Sequence, residues 1–273
     1  MCSTCRCSDE AHTTITDVKD LHKERYHDPY AHHCSGHEHH HDHQHDSERR
    51  LIHLEYDLLE KNNRLAERNR GWFEGRDICA LNMMSSPGAG KTTLLERTIG
   101  DLRAEYQISV IEGDQATTRD ADRIDAAGCP VIQVNTGSGC HLDSAMLADA
   151  LRKLNPPSHS LVMIENVGNL ICPALFDLGE RKKVVIMSVT EGEDKPLKYP
   201  QMFRVADLVI LNKVDLLPHI SFSVERCTAN ARKVKPLIQI IETSATKGIG
   251  LDEWYLWLRT EISTNGNGSA HSK

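Results

Sequence analysis

Between Asp77 and Ser244 the chain alternates short, almost wholly apolar runs with longer stretches in which charges separate the apolar positions. The apolar runs are DICALNMMS (77–85), ISVIE (108–112), PVIQVN (130–135), SLVMIE (160–165), KVVIMSV (183–189), DLVILN (207–212) and LIQIIETS (237–244). Near-continuous apolar strands belong in a parallel sheet covered on both faces. Helical patterns separate them at Thr92–Ala104, Ala121–Ala127 and Asp143–Leu154. The alternation predicts one doubly wound α/β domain of about seven mostly parallel strands.

The pattern changes outside that domain. SERRLIHLEYDLLEKNNRLAERN, from Ser47 to Asn69, places Leu51, Leu54, Leu58 and Leu65 near helical spacing, with charges on the other face. It predicts an adapter helix packed on the domain, capped by Ser47 and stopped at Gly71. Residues before it hold almost no aliphatic side chains, too few to offset the entropy of ordering them. The expected layout is a tail without order of its own over 1–46, the adapter helix and linker over 47–76, the α/β domain over 77–264 and a polar tail over 265–273.

Composition refines this picture at few points. No apolar run reaches the roughly 18 residues of a membrane span, and no signal peptide pattern precedes the first cysteines. A cytoplasmic protein with reduced thiols is expected. The formal charge of -7 gives no support for nucleic-acid binding.

Candidate chemistry begins at SSPGAGKTT, Ser85–Thr93, between the first strand and the first helix of the domain. It fits the phosphate-binding loop G-x-x-x-x-G-K-[ST], with Ser85 in place of the first glycine, and marks the domain as a P-loop NTPase. Residues Ser86, Pro87, Gly88, Ala89, Gly90 and Thr93 form the stretch whose backbone N–H groups, Pro87 excepted, lie where such a loop cradles phosphates. Lys91 would reach the β- and γ-phosphates and the Thr92 hydroxyl would hold Mg²⁺. NKVD places Asn212, Lys213 and Asp215 at a later strand end. A carboxylate there can accept from guanine N1–H and its 2-amino group, a donor pair adenine lacks. SAT, with Ser244 and Ala245, would bring a backbone N–H to guanine O6, so GTP is favoured over ATP. Asp114 in EGDQ and Glu165 in ENVG would lie near phosphates and Mg²⁺, and the Gly168 N–H would sense the γ-phosphate. No residue stands out as general base, which suits slow hydrolysis driven by positioning and charge.

Soft ligands form two groups. Cys140 and His141 adjoin each other in TGSGCHLD, and Cys172 lies seven residues after Glu165, in the expected switch loop. Cys and His suit Zn²⁺ or Ni²⁺. MCSTCRC brings Cys2, Cys5 and Cys7 together, and the tract from His32 to His45 holds His32, His33, His37, His39, His40, His41, His43 and His45. A reduced compartment argues against a disulfide staple for the three thiols, leaving a metal site. The histidines read as a metal buffer. Cys79, Cys129 and Cys227 are assigned to packing.

Together, C-x-x-C-x-C, the histidine tract, NNRLAERNRGWF, SSPGAGKTTLL, NTGSGCHLD, ENVGNLICP and NKVD resemble the HypB family, nickel-inserting GTPases of the SIMIBI class. The resemblance covers nearly the whole chain. It implies a tight nickel site at Cys2, Cys5 and Cys7, with the α-amino group as natural fourth ligand. It also implies a weaker zinc or nickel site at Cys140, His141 and Cys172 on a nucleotide-dependent homodimer interface. The implied partners are a HypA-type metallochaperone and the hydrogenase large-subunit precursor. Arg6 and Ser138 depart from the Gly and Lys frequent in the family. Rival readings are a nickel-storage protein with a regulatory GTPase domain and a urease-type nickel GTPase.

Overall fold

The computed structural model describes residues 14–17, 44–115 and 119–266. Strands are β1 (Thr14–Asp17), β2 (Cys79–Ser85), β3 (Ile108–Asp114), β4 (Val131–Asn135), β5 (Leu161–Glu165), β6 (Lys182–Ser188), β7 (Leu208–Asn212) and β8 (Gln239–Glu242). They form one sheet in the order β1-β4-β3-β5-β2-β6-β7-β8. The seven strands from β2 to β8 run parallel, as the apolar runs predict. The long helices are α1 (Gln44–Glu74), α2 (Lys91–Leu102), α3 (Arg119–Ala126), α4 (Ser144–Leu154), α8 (Val224–Val234) and α9 (Leu251–Gly266). Short helices α5 (Cys172–Leu175), α6 (Lys195–Lys198) and α7 (Pro200–Val205) fill the connections. The phosphate-loop strand β2 is central, so the loops at the carboxyl ends of β2, β3, β5 and β7 converge on one edge, where ligands bind in open α/β sheets.

Helices cover both faces. On one face Leu94, Leu95, Ile99, Ile124 and Trp254 pack over Leu81, Met83 and Ile186. On the other, Phe73, Leu147 and Leu151 cover Ala80, Ile111 and Ile164, and Phe203 and Ala231 cover the β6–β7 end. Cys79, Cys129 and Cys227 are buried within these layers, and burial raises each thiol pKa to about 12. They are inert packing residues, as expected.

Three features depart from the sequence reading. First, the tail is not wholly without regular structure. Thr14–Asp17 pairs antiparallel with β4, Thr14 opposite Asn135 and Asp17 opposite Ile132. Its Thr-Ile-Thr run is β-branched throughout, a composition that fits a pleated edge. Second, the adapter helix starts before Ser47 and continues through Gly71 to Glu74. Phe73, 3% exposed, rewards that extra turn by entering the core.

Third, where side chains are described, leucines do not form the buried seam of the adapter helix: Leu58 is exposed and Leu65 only half-buried. The docking face is Asn62, Ala66, Asn69 and Phe73, all buried. Asn62 Oδ1 accepts from Ser144 N (2.9 Å) and its Nδ2 donates to Asp177 O (2.7 Å). Asn69 Nδ2 donates to Ser144 O (2.9 Å) and Leu178 O (3.0 Å). Gly179, at φ 86°, lets the loop approach the helix so closely that a Cβ there would collide with Ala66 O. Arg70 Nη2 closes the contact on Asp177 Oδ2 at 2.7 Å. Amides satisfying loop carbonyls, rather than leucines, fix the helix beside the start of α4.

Candidate functional site

The phosphate loop is held from outside. Gly88 (φ 76°) and Gly90 (φ 92°) take left-handed conformations that favour glycine. A Cβ on Gly90 would sit 2.5 Å from Asn212 Nδ2. Its absence admits the Asn212 amide, which donates to Ala89 O at 3.0 Å. Lys213 Nζ donates to Gly88 O at 2.6 Å. Asn212 Oδ1 accepts from Ala245 N (3.2 Å) and Thr243 Oγ1 (3.3 Å). Thus the phosphate loop, NKVD and SAT meet as the sequence order predicts, with Asn212 as their shared tie. Ser244, fully buried, accepts Lys247 N on its Oγ at 3.2 Å and holds the SAT turn. Asp215 Oδ1 is buried without a hydrogen-bond partner. Gly168 abuts the loop from the switch side: a Cβ there would be 3.3 Å from Pro87.

The floor of the cleft is anionic. Thr92 Oγ1 donates to Glu165 Oε1 at 2.6 Å, and Lys91 Nζ pairs with the same oxygen at 2.7 Å. Glu165 is fully buried and its Oε2 has no partner. Asp114 closes β3, and its Oδ1 accepts Gln115 N at 2.7 Å. Lys91, Thr92, Thr93, Asp114 and Gly168 line a cavity of about 550 Å³ at the loop mouth. Arg123 Nη2 reaches Thr93 Oγ1 across this mouth at 3.2 Å.

Two carboxylates escaped the sequence reading. Glu191, after β6, accepts the Ser86 hydroxyl on Oε2 and Ser188 N on Oε1 (2.8 Å). Glu112 also lines the cleft, stands opposite Glu165 in the β3–β5 ladder and leaves its Oε2 unpartnered. The only sequence signal for it was an acid closing an apolar strand. Burial first, then the Glu165 charge, raise its pKa to about 9. The unfolded chain, with an ordinary carboxylate, binds fewer protons between pH about 4.3 and 9, so native stability falls as pH rises through that window. Glu112→Gln removes this penalty. The stability gap between Glu112→Gln and the wild type, without nucleotide, is expected to widen in the variant's favour by up to about 1.4 kcal/mol per pH unit, levelling near pH 9. Melting curves from pH 5 to 9 check this; parallel profiles would show an ordinary carboxylate.

The second constellation assembles around the switch loop. Cys140 Sγ and Cys172 Sγ lie 2.6 Å apart, and His141 Nδ1 is 3.6 Å from Cys140 Sγ. Among the described residues this is the one group of three or more Cys, His, Asp or Glu whose ligand atoms fall within 4.8 Å of one another. The His141 ring stacks on Phe176 with centroids 3.8 Å apart. Desolvation lowers the His141 pKa, favouring the neutral imidazole that ligates metals. Asn169 Oδ1 accepts Ile171 N (2.7 Å) and Cys172 N (3.3 Å), shaping the turn that presents Cys172. Two thiols and an imidazole are a donor set for a soft or borderline ion. Cys2, Cys5, Cys7 and the histidines His32, His33, His37, His39, His40, His41 and His43 lie outside the described residues, while His45 falls in the first turn of α1.

No helix among the described residues is long and apolar enough to cross a membrane. The profile of the CobW/HypB/UreG nucleotide-binding domain matches residues 80–242. Hydrogenase maturation factor HypB of Escherichia coli K12 is 59% identical over 215 residues, covering 79% of this chain and 74% of that protein. HypB of Azotobacter vinelandii is 55% identical over 218 residues, covering 80% and 72% respectively. The crystal structure of HypB from Archaeoglobus fulgidus superposes with a TM-score of 0.70 at 42% identity, covering 75% of this chain and all of that one. HypB from Helicobacter pylori in complex with nickel gives 0.71 at 37% identity, covering 78% of this chain and all of that one. The chain belongs to the HypB family of hydrogenase maturation factors within the CobW/HypB/UreG nucleotide-binding proteins.

Proposed function

We propose that the chain is a GTP-hydrolysing nickel metallochaperone that delivers nickel during maturation of [NiFe]-hydrogenase, with nucleotide state coupled to the Cys140–His141–Cys172 cluster. The observation that carries it is one short loop: Glu165 at its start touches Lys91 and Thr92, and Cys172 at its end meets Cys140. The nickel in the Helicobacter pylori relative's structure supports the cargo.

Within this reading Lys91 and the loop N–H groups bind and orient the phosphates. Asp215, whose Oδ1 is buried and unpartnered, accepts the two guanine donors. Thr92, Asp114 and Glu165 offer only oxygen atoms, the donor type that suits Mg²⁺, and Glu165 Oε2 is a buried acceptor without a partner. When bound, Mg²⁺ would neutralise phosphate charge. Gly168, pressed on Pro87, is placed to report the γ-phosphate. Zn²⁺ competes with Ni²⁺ for the same soft ligands. The acting species is a homodimer formed in response to nucleotide and metal; a HypA-type metallochaperone exchanges nickel with it and the hydrogenase large-subunit precursor receives the ion. The thiols of Cys2, Cys5 and Cys7 hold nickel, and the His32–His45 tract buffers it.

Nucleotide exchange at Asp215 tests the first half. Asp215→Asn is expected to weaken GTP binding on the order of 100-fold, the worth of two charge-assisted hydrogen bonds. The same variant should gain xanthosine triphosphate, whose C2 oxygen accepts from the new amide. Undiminished GTP affinity would sink the guanine assignment. Nickel affinity of the cluster with GDP against a GTP analogue tests the second half; equal affinities would end the coupling idea.

A further inference from the structure

Asn166 sits between the two sites and is fully buried. It directly follows Glu165, and its own N–H is fixed to Met83 O on β2 at 3.0 Å. Both side-chain polar atoms are committed. Oδ1 accepts Val167 N (2.9 Å) and, across the fold, Leu142 N (3.1 Å). Nδ2 donates to Asn82 Oδ1 (3.2 Å). Asn82 in turn donates to Glu180 Oε1 (2.9 Å), whose carboxylate also holds Lys183 (2.6 Å) and Leu178 N (2.8 Å). The amide is therefore clamped from behind on the sheet, and its bond to a loop distant in sequence is that to Leu142.

Leu142 is the residue after His141. It is completely buried, and its side chain lies so close over Gly113 that a Cβ there would be 2.7 Å from Leu142 Cγ. Gly113 separates Glu112 from Asp114 in the cleft. Leu142 thus touches one nucleotide-side strand through its side chain and the other through its N–H.

On the reading given above, phosphate draws Lys91 away from Glu165 Oε1, and a cation draws away the Thr92 hydroxyl. Both donors of that oxygen leave together, so the buried Glu165 side chain must find a new position. A close-packed interior passes such a shift to its neighbours rather than absorbing it. We infer that Asn166 is the positioning residue that couples the nucleotide cleft to the Cys140–His141–Cys172 cluster, through its hydrogen bond to the Leu142 amide. This rests on the coupled-site reading and names its route. The bond holds His141 against Phe176 in one nucleotide state, and its lengthening or loss in the other lets the ligand loop shift.

The test uses the full chain with Cys2, Cys5, Cys7 and Cys34, the cysteine within the His32–His45 tract, changed to Ser; with Cys79, Cys129 and Cys227 buried, Ni²⁺–thiolate absorption then reports Cys140 and Cys172. Ni²⁺ is titrated with GDP and with a GTP analogue. The background protein is expected to show a state-dependent affinity ratio, roughly 5- to 150-fold where sites are coupled. Asn166→Ala is expected to bring that ratio to within about twofold while both nucleotides still bind and GDP-state nickel affinity stays within tenfold. A wild-type ratio in Asn166→Ala overturns the inference. Amide exchange gives a second readout without altering residue 166: Leu142 N–H protection in the background protein should differ about tenfold or more between the two states. Equal protection overturns the inference as well. If the background protein shows no affinity ratio, the coupled-site reading itself fails, and Leu142 exchange alone then decides whether Asn166 senses nucleotide.

Discussion

Lys91→Ala is expected to slow GTP hydrolysis by roughly 100- to 1,000-fold, the scale for losing a preorganised donor to transition-state charge. Phosphoryl transfer is mostly positioning and charge stabilisation, and among the described residues no side chain near the cleft is arranged as an obvious base, so the ammonium carries a large share. The substitution also acts on the cleft itself. Among the described residues, Lys91 Nζ is the one cation paired with the buried Glu165 carboxylate, whose Oε1 also accepts the Thr92 hydroxyl. Without Lys91, Glu165 and Glu112 face each other across the β3–β5 ladder with less positive charge to separate them. The Thr92 hydroxyl then remains as the donor on Glu165 Oε1. The variant is therefore expected to stay folded yet bind nucleotide poorly, and Lys91→Arg should not rescue it, because a planar guanidinium cannot act as a compact point charge. Single-turnover hydrolysis beside nucleotide titration separates the two losses. Hydrolysis within tenfold of wild type would remove Lys91 from the chemistry.

How much of this was legible in the sequence depends on the range of the interaction. The seven parallel strands were readable because each is a continuous apolar run. The phosphate loop was readable because its chemistry is local: two glycines, a lysine and a threonine within five residues. NKVD and SAT were readable only as ordered fragments, and the geometry adds why they belong together, since Asn212 bonds both Ala89 and Ala245. The Cys140–His141–Cys172 cluster was half-readable: the pair by adjacency, the third ligand by lying in the expected switch loop.

What was hidden depends on side chains meeting across the sheet. Glu112 looked like the polar end of a strand, and only the ladder register sets it against Glu165. The leucine spacing of the adapter helix gave no signal for Asn62 and Asn69. They dock because the partner surface is a loop presenting carbonyls at Asp177 and Leu178, and amides satisfy those where leucine would leave them unpaired. The edge strand was hidden for the reverse reason: a four-residue stretch, three of its residues β-branched, in a polar tail carries too little apolar pattern to register. Its antiparallel pairing sets Thr14, seven residues after Cys7, beside Asn135, at the end of β4 that leads to Cys140. The pairing thus places Thr14–Asp17 along the strand that leads to Cys140.

Cys172→Ser is expected to lower the Ni²⁺ and Zn²⁺ affinity of the cluster by more than about 100-fold, beyond the 10- to 100-fold typical of losing a supporting residue. Serine fills nearly the same space, and the turn that presents residue 172 is held by Asn169 Oδ1 on backbone N–H groups, which the substitution leaves alone. The loss is therefore chemical: a hydroxyl in place of a thiolate leaves Cys140 and His141 as the remaining soft donors. Cys140→Ser should match it, whereas His141→Ala should cost less at the metal, because two thiolates remain. Linkage adds a second readout. If metal and nucleotide are coupled, wild-type GTP-analogue affinity must change on adding Zn²⁺ by the same factor that the analogue changes Zn²⁺ affinity. In Cys172→Ser that shift should vanish while metal-free nucleotide affinity stays at the wild-type value. A Zn²⁺-dependent shift that survives in Cys172→Ser would place the responsive ion elsewhere in the chain.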